Sequence, residues 1–377
     1  MEWVYWLLSG LNVLMWGGVA LLYTAKVGQI GQLYKTEELP LQEPPLISVV
    51  IAARNEQKAL ESCIRSLAAQ TYPRLEIIAV DDRSADGTRS IIEEMATKHP
   101  NVSGVYIQEL PEHWMGKSHA LFEGVKRAKG DWLLFADGDI LFQPACLSKA
   151  ETYCRKARLD HLTLIPDFHG SHLFSKWYGA FIFLSASSFG MLWRVKNPKA
   201  PQSLGVGAFN LVKRSAYEQI GTHAAFSYNT TDDATLGKRI KQAGCRQDAA
   251  YGTRMIAVWN WYESLGQLIG SVEKLVFSFR NALPTSLSCL LTMLYPWAGL
   301  FIGPPVPRAL CAVSLLSVFW LYFVYARHAG GRRWYGIAHP LIGLCLIFGG
   351  LRGAYRASRR GGMTWRGTTY DLKNLKS

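Results

Sequence analysis

Residues 132–139 read WLLFADGD, an apolar run that ends in two carboxylates two positions apart. The run Trp132–Ala136 has no polar interruption, which predicts a strand buried on both faces. Hard cations such as Mg²⁺ and Mn²⁺ take oxygen ligands, commonly one or two carboxylates completed by phosphate oxygens. The stretch therefore predicts a metal site at Asp137 and Asp139. The alternative is a surface Asp-Gly turn, but the apolar strand that leads directly into Asp137-Gly138-Asp139 argues against it.

Strands and helices alternate around this stretch. The predicted strands are Leu46–Ala53, Leu75–Val80, Val102–Leu110 and Trp132–Ala136. Between them, apolar residues spaced three and four apart predict helices over residues 60–68, Arg89–Lys98 and Ser118–Lys129. This alternation is typical of an α/β domain with a parallel sheet covered on both faces. Such sheets bind ligands at the carboxyl ends of their strands, where the acidic motifs fall.

Two further polar motifs follow the first and second strands. Ala53-Arg54-Asn55-Glu56 ends the first strand, and Asp81-Asp82 ends the second. A carboxylate at such a strand end can accept hydrogen bonds from a nucleobase N–H or from ribose hydroxyls, so both motifs are candidates for nucleotide binding. The alternatives are local: Asn55 as the cap of the next helix, and Asp86-Gly87-Thr88 as an ordinary turn that starts one.

Lys117 and the pair Asp232-Asp233 complete the candidate site. Lys117 follows Gly116 just before the third predicted helix, and a cation beside a helix N-terminus favours phosphate oxygens. Asp232 and Asp233 precede an amphipathic helix. We predict Asp233 as a general base and Asp232 as an orienting residue. Capping of that helix by Thr231 or Asp232 is the alternative.

Apolar segments at both ends predict a membrane protein. Val4–Tyr23 is long enough to span a bilayer, and lysines follow it, so the positive-inside rule places the N-terminus outside and the α/β domain in the cytosol. Three apolar blocks come later, Ala282–Gly303, Ala309–Tyr325 and Trp334–Leu351. We expect the first, which carries Pro284 and Pro296, to be re-entrant or interfacial, because a cytosolic basic tail then follows.

The predicted organisation has six parts. They are an N-terminal anchor (1–27), a linker (28–45), the α/β domain (46–260), an interfacial helical segment (261–283), a transmembrane or re-entrant region (284–352) and a basic tail (353–377). The aromatic stretch 170–195 inside the α/β domain is either core packing or an interfacial helix that presents a lipid acceptor.

The charge balance also fits a membrane surface. The net charge is +13, and basic residues cluster beside apolar segments, as at Arg352 and Arg356. No zinc-finger, homeodomain or RNA-binding motif accompanies them, so we predict no nucleic-acid partner.

Taken in order, the motifs at residues 51–56, 80–88, 116–117, 137–139 and 231–233 resemble family 2 glycosyltransferases of the GT-A fold. The flanking apolar segments resemble those of ceramide glucosyltransferases and of bacterial hopanoid- and carotenoid-associated glycosyltransferases, which implies a bacterial inner-membrane location. The tail, with Trp365 and Arg366, is similar to a Trp-Arg-Gly-x-x-Tyr motif of that bacterial group. In the more usual family pattern a glycine stands at the position of Arg83.

The resemblance implies an inverting transfer of one sugar from a nucleotide sugar, usually a UDP-sugar, to a lipid hydroxyl, assisted by Mg²⁺ or Mn²⁺. By motif position, Asp82 would contact the uridine, Asp137 and Asp139 the diphosphate and metal, and Asp233 would act as the base. Trp365 and Arg366 would contact the acceptor or the diphosphate. The full nucleotide-sugar set that we predict is Ala53, Arg54, Asn55, Glu56, Asp81, Asp82, Lys117, Asp137 and Gly138.

Two other functions remain open at this stage. One is a glycosyltransferase that acts on polyprenyl phosphate or on a growing polysaccharide. The other is a membrane scaffold that retains a degenerate, non-enzymatic domain of this fold.

Overall fold

A computed structural model describes residues 2–39, 42–169, 172–259, 261–262, 264–276, 278–365 and 368–371. It divides into two compact units. The α/β unit comprises the described residues of 30–169 and 192–261, and the helical unit those of 1–29, 170–191 and 262–374. The aromatic stretch around residue 180 thus belongs to the helical unit, although it lies in sequence between the two parts of the α/β unit.

The α/β unit contains a central sheet and a small second sheet. Its strands are β1 (Gly31–Gln32), β2 (Ile47–Ala53), β3 (Leu75–Asp82), β4 (Val102–Ile107), β5 (Trp132–Asp137), β6 (Ile140–Phe142), β7 (His161–Ile165), β8 (Asp167–His169), β9 (Asn210–Lys213), β10 (Gln247–Tyr251) and β11 (Ile256–Trp259). The central sheet has the order β1-β10-β7-β9-β5-β2-β3-β4, and β6, β11 and β8 form the second.

Helices cover the central sheet because its middle strands are mostly apolar. They are α2 (Leu60–Ala68), α3 (Thr88–Lys98), α4 (Gly116–Arg127), α5 (Cys146–Ala157), α7 (Arg214–Gln219) and α8 (Asp232–Gln242). Val50, Val80 and Leu133, on three adjacent strands, are completely buried in one core cluster. Helix α4 approaches this layer closely at Gly124, where a Cβ atom would lie 2.4 Å from Val50 Cγ1.

The prediction of a parallel sheet is confirmed for the four predicted strands, β2 to β5, but a strand outside that prediction is reversed. β9 runs antiparallel to both of its neighbours, β5 and β7, whereas the other neighbouring pairs of the central sheet are parallel. The start of β9 therefore lies at the same edge of the sheet as the carboxyl end of β5. This reversal brings the loop that precedes β9 to the predicted ligand edge.

Several predicted element bounds also need correction, and β4 ends at Ile107 rather than at Leu110. Asp81 and Asp82 lie within β3 rather than after it, and Gly116 and Lys117 form the first turn of α4 rather than preceding it. Asp137 is the last residue of β5. Lys117 and Asp137 are thus fixed by regular backbone.

The helical unit contains α1 (Glu2–Lys26), α6 (Leu173–Ser188), α9 (Leu265–Leu275), α10 (Phe279–Cys289), α11 (Tyr295–Ala298), α12 (Pro305–Ala329) and α13 (His339–Arg360), followed by the hairpin of β12 (Gly362–Trp365) and β13 (Thr368–Asp371). A π-helical segment, Leu290–Leu294, joins α10 to α11. Within the described residues, three segments are long and apolar enough to cross a membrane: Glu2–Gln29, Pro305–Ala329 and Arg333–Arg360. Of the predicted one N-terminal and two to three C-terminal transmembrane or re-entrant helices, one N-terminal and two C-terminal apolar helices are confirmed.

α1 and α12 run in the same direction. Ser9 Oγ lies 3.4 Å from Cys311 Sγ near their N-terminal ends, and Trp320 Nε1 donates to Thr24 Oγ1 at 3.0 Å near their C-terminal ends. The segment from α10 to α11 runs the opposite way along α1, since Asn12 Nδ2 donates to the carbonyl of Leu291 whereas Ser9 contacts Tyr295. The first of the three C-terminal apolar blocks therefore passes alongside α1.

Candidate active site

Lys117 and Asp137 form the charged centre of the candidate site. The Lys117 Nζ atom lies 2.6 Å from Asp137 Oδ1, and both side chains are partly exposed. Burial by itself lowers the pKa of Lys117, but the carboxylates of Asp137, Asp232 and Asp233 raise it, and the net pKa is above its usual value. A cation held this firmly in its charged form suits an anionic ligand.

Asp233 reaches the same place from a distant part of the chain. It lies in the first turn of α8, and its Oδ2 atom accepts a hydrogen bond from the Gly207 N–H at 2.8 Å. The Gly207 carbonyl in turn accepts from the backbone N–H of Asp137 at 3.0 Å. Gly207 therefore bridges Asp137 and Asp233, and it does so because the antiparallel β9 begins at this edge of the sheet.

Glycine is required at two positions of this bridge. A Cβ atom on Gly207 would lie 2.5 Å from Asp137 Oδ2 and 2.9 Å from Lys117 Nζ. A Cβ atom on Gly205 would lie 1.9 Å from the Asp233 carbonyl oxygen. Sequence reasoning missed this loop; its only signal was the Gly-Val-Gly spacing just before an apolar strand.

The electrostatic setting of Asp233 suits a base. Burial and the neighbouring Asp232 raise the pKa of Asp233, and Lys117 opposes them, so that the pKa stays above its usual value. A carboxylate with a raised pKa binds a proton more strongly and is a better proton acceptor. Asp232 is buried beside it, where its charge acts on both Asp233 and Lys117.

Asp82 marks a second part of the site. Its carboxylate is buried and receives two contacts from Arg83, at 2.7 Å and 3.1 Å, with Arg54 Nη1 at 3.8 Å. A Cβ atom on Gly116 would lie 2.4 Å from Asp82 Oδ2, so the start of α4 is immediately adjacent. Arg83 has a φ of 55°, in the left-handed region, which explains why glycine is the more usual residue there.

Asn55 and Glu56 join the loops that leave β2 and β3. The Asn55 side chain accepts a hydrogen bond from the Ala85 N–H at 2.8 Å, and the Glu56 N–H donates to Thr88 Oγ1 at 2.8 Å. The alternative of Asn55 as a helix cap is wrong, because α2 begins only at Leu60. These contacts hold two strand ends in fixed register.

The remaining predicted positions lie close to these groups. Ala53 is buried at the end of β2, and Asp81 Oδ1 accepts from the Ser84 N–H at 3.3 Å. Gly138 is buried beneath Leu60. Asp139 lies close enough to Cys63 to act on its thiol. Burial raises the pKa of that thiol most, the Asp139 carboxylate raises it next, and Asp137 adds to the effect.

The carboxylates at the end of β5 fit a divalent cation that is completed by a substrate. Within the described residues, no group of three or more His, Cys, Asp or Glu side chains is arranged to hold a metal by itself. Asp137 and Asp139 are a pair of oxygen donors, which is the set that Mg²⁺ or Mn²⁺ takes when phosphate oxygens supply the rest. Asp137 Oδ1 contacts Lys117, so the cation and the lysine would share this carboxylate.

The predicted tail contacts receive no structural test. Trp365 ends β12, but its side chain lies outside the described residues, as does Arg366 altogether.

Residues 48–221 match the family described as Glycosyl transferase family 2. This stretch of the chain is therefore similar to a family 2 glycosyltransferase domain. The matched stretch includes Lys117, Asp137 and Gly207, whereas Asp232 and Asp233 lie beyond it and are linked to it by the Gly207 hydrogen bond.

Two similar proteins carry the same name, 4,4'-diaponeurosporenoate glycosyltransferase. One, from Staphylococcus haemolyticus, is 29% identical over 203 residues, which is 52% of this chain and 52% of that protein. The other, from Staphylococcus aureus, is 20% identical over 338 residues, covering 86% of this chain and 88% of that protein. The chain thus aligns with about half the length of the first relative and most of the second.

A solved structure shares the fold of the glycosyltransferase domain. The mannosyltransferase PcManGT from Pyrobaculum calidifontis, in complex with GDP-Man and Mn²⁺, aligns with a TM-score of 0.51 at 17% identity, over 93% of this chain and 98% of that one. At this identity the likeness concerns the fold. The α/β unit has the GT-A fold, as predicted.

Proposed function

We propose that this protein is a membrane-bound, inverting glycosyltransferase that moves a single sugar from a UDP-sugar to a hydroxyl of an apolar, carotenoid-type lipid. The observation that carries the proposal is the bridge formed by Gly207 between Asp137 and Asp233, with Lys117 beside both. In this proposal Asp233 is the proton acceptor and the neighbouring Lys117 binds the diphosphate of the donor. The names of the two staphylococcal relatives favour a carotenoid-type acceptor.

The proposed reaction divides the work among these residues. Asp233 accepts the proton of the acceptor hydroxyl while the oxygen of that hydroxyl attacks the anomeric carbon of the sugar. The bond from that carbon to the diphosphate breaks, and the departing diphosphate keeps the electron pair beside Lys117. A Mg²⁺ or Mn²⁺ ion held by Asp137 and Asp139 would neutralise charge on the diphosphate. Asp82, with Arg54 and the loop of Asn55 and Glu56, would orient the nucleoside.

Purified protein in detergent is expected to release UDP from UDP-sugars only when a lipid acceptor is present. Mass spectrometry of the lipid should show the addition of one sugar. Tight UDP binding without turnover would instead support a scaffold, and a ladder of product lengths would support a polymerising enzyme.

The proposed orientation has the N-terminus outside and the glycosyltransferase domain in the cytosol. Because α1 and α12 run in the same direction, the loop before α12 should lie on the same side as the N-terminus. Phe301 in that loop is 78% exposed, and Arg332 follows the other end of α12.

In intact cells, Phe301→Cys is expected to react with a membrane-impermeant maleimide, whereas Arg332→Cys should react only after the cells are opened. The parent protein, which has seven cysteines of its own, sets the background. Labelling of both positions from the same side would show that α12 does not cross the membrane.

A further inference from the structure

A narrow cavity lies inside the helical unit. Its walls come from α1, α6, α12 and the start of α13, and they include Trp16, Leu184 and Leu321. The room that these side chains leave between them is about 10 Å³, enough for about one water-sized group. Phe189, which also lines the cavity, is 47% exposed, whereas Trp16 and Leu321 are buried.

Two buried polar side chains line this cavity and have no hydrogen-bond partner in the part of the chain that the structure describes. His339 is 2% exposed, and within the described residues neither of its ring nitrogens has such a partner. The same holds for the hydroxyl of Tyr322, which is 1% exposed. The two rings lie 6.2 Å apart between centroids. Both residues belong to segments with the length and composition of membrane spans, where an unsatisfied polar group is especially costly.

Other polar groups in the walls differ from these two. The Trp16 indole N–H donates to the Thr292 carbonyl at 3.0 Å, and the Ser188 hydroxyl donates to the Leu184 carbonyl at 2.7 Å. The chain therefore satisfies polar side chains elsewhere around the cavity. Native proteins rarely leave buried donors and acceptors unsatisfied, so His339 and Tyr322, which have no partner within the described residues, favour a partner from outside the chain.

We propose that this cavity binds the protic end group, a hydroxyl or a protonated carboxyl, of a long-chain lipid. In either tautomer of neutral histidine, one ring nitrogen of His339 donates and the other accepts, and the Tyr322 hydroxyl does both. A hydroxyl or carboxyl group complements this pair, since it too donates one hydrogen bond and accepts another. The aromatic rings of Trp16, Phe181 and Phe189, which also line the cavity, would pack against the adjoining hydrocarbon chain.

This site is separate from the proposed transfer chemistry. It requires no nucleotide sugar and no participation of Asp233, so it can be tested by binding alone. A failure to bind lipid here would leave the transferase proposal intact, and loss of transfer would not affect the binding measurement.

The test uses photoreactive lipids on the full-length protein in nanodiscs. The probes are a fatty alcohol and a fatty acid with a diazirine near the polar end, and a hydrocarbon of equal length with the same diazirine. Mass spectrometry should locate cross-links from both polar probes on peptides that carry residues 181–189 or 318–322. The yield of these cross-links should be about 3- to 10-fold higher than with the hydrocarbon probe.

His339→Phe and Tyr322→Phe are each expected to reduce that preference about 3- to 10-fold. Tyr322→Phe removes a single oxygen atom, so it remains informative if His339→Phe fails to fold. Tyr325→Phe, on the same helix but outside the cavity, is the matched control. Equal labelling by polar and hydrocarbon probes, as when water alone satisfies the two side chains, would overturn the proposal. So would an unchanged preference in both variants.

Discussion

Asp233→Asn is expected to lower kcat by about 10²- to 10⁴-fold, the range that a positioned general base contributes. In the wild type, Asp233 Oδ2 accepts a hydrogen bond from the Gly207 N–H at 2.8 Å. The asparagine keeps the size of the side chain and an oxygen that can accept the same hydrogen bond. The loop should therefore keep its place while the ability to take a proton is lost. Single-turnover kinetics with a UDP-sugar and a lipid acceptor measure the change directly.

Asp160→Asn provides the matched control. Asp160 forms an ion pair with Lys213 at 2.8 Å, and it precedes β7, at the opposite edge of the sheet from the carboxyl ends. This variant should retain its kcat. Activity of Asp233→Asn close to that of the wild type would remove Asp233 from the mechanism.

The pH dependence of the wild type gives an independent check. Burial and Asp232 raise the pKa of Asp233, so this carboxyl takes up its proton at a higher pH than an ordinary aspartate. Only the deprotonated form can act as a base. We therefore expect kcat to fall as the pH is lowered through that raised pKa, and the decline should be absent from the residual activity of Asp233→Asn.

The sequence predicted the parts of the fold that depend on local pattern. The buried strands β2, β3 and β5 are mostly apolar, and β3 and β5 end in acidic residues that the structure gathers at one edge. The residues Lys117 and Asp233 were also identified from motif order. These features need only short-range information, because the carboxyl ends of parallel strands necessarily share an edge.

The contacts that organise the site depend on distant pairing and were not predicted. β9 has only four residues, and its antiparallel direction is set by two strands that are remote in sequence. The Gly207 bridge follows from that direction. The pairing of Arg83 with Asp82 depends on a left-handed backbone that an arginine seldom adopts, so no propensity indicates it.

Lys117→Met is expected to lower kcat/KM for the nucleotide sugar by about 10²- to 10³-fold, the effect of removing one group that stabilises developing negative charge. The methionine fills similar space but leaves the carboxylates of Asp137, Asp232 and Asp233 without their shared cation. Lys213→Met is the control, because it removes a lysine of comparable exposure that also pairs with an aspartate, at 2.8 Å. Steady-state kinetics on both variants, prepared with equal fractions of folded protein, measure kcat/KM for the nucleotide sugar.

A shift in pH profile separates this electrostatic role from a structural one. Lys117 lowers the pKa of Asp233, so its removal should raise that pKa further. The acid limb of the kcat profile should then move to higher pH in Lys117→Met and stay in place in Lys213→Met. A merely structural lysine would reduce activity at every pH alike. An acid limb that does not move would mean that Lys117 and Asp233 are not coupled in the working enzyme, and the shared cluster would lose its role in catalysis.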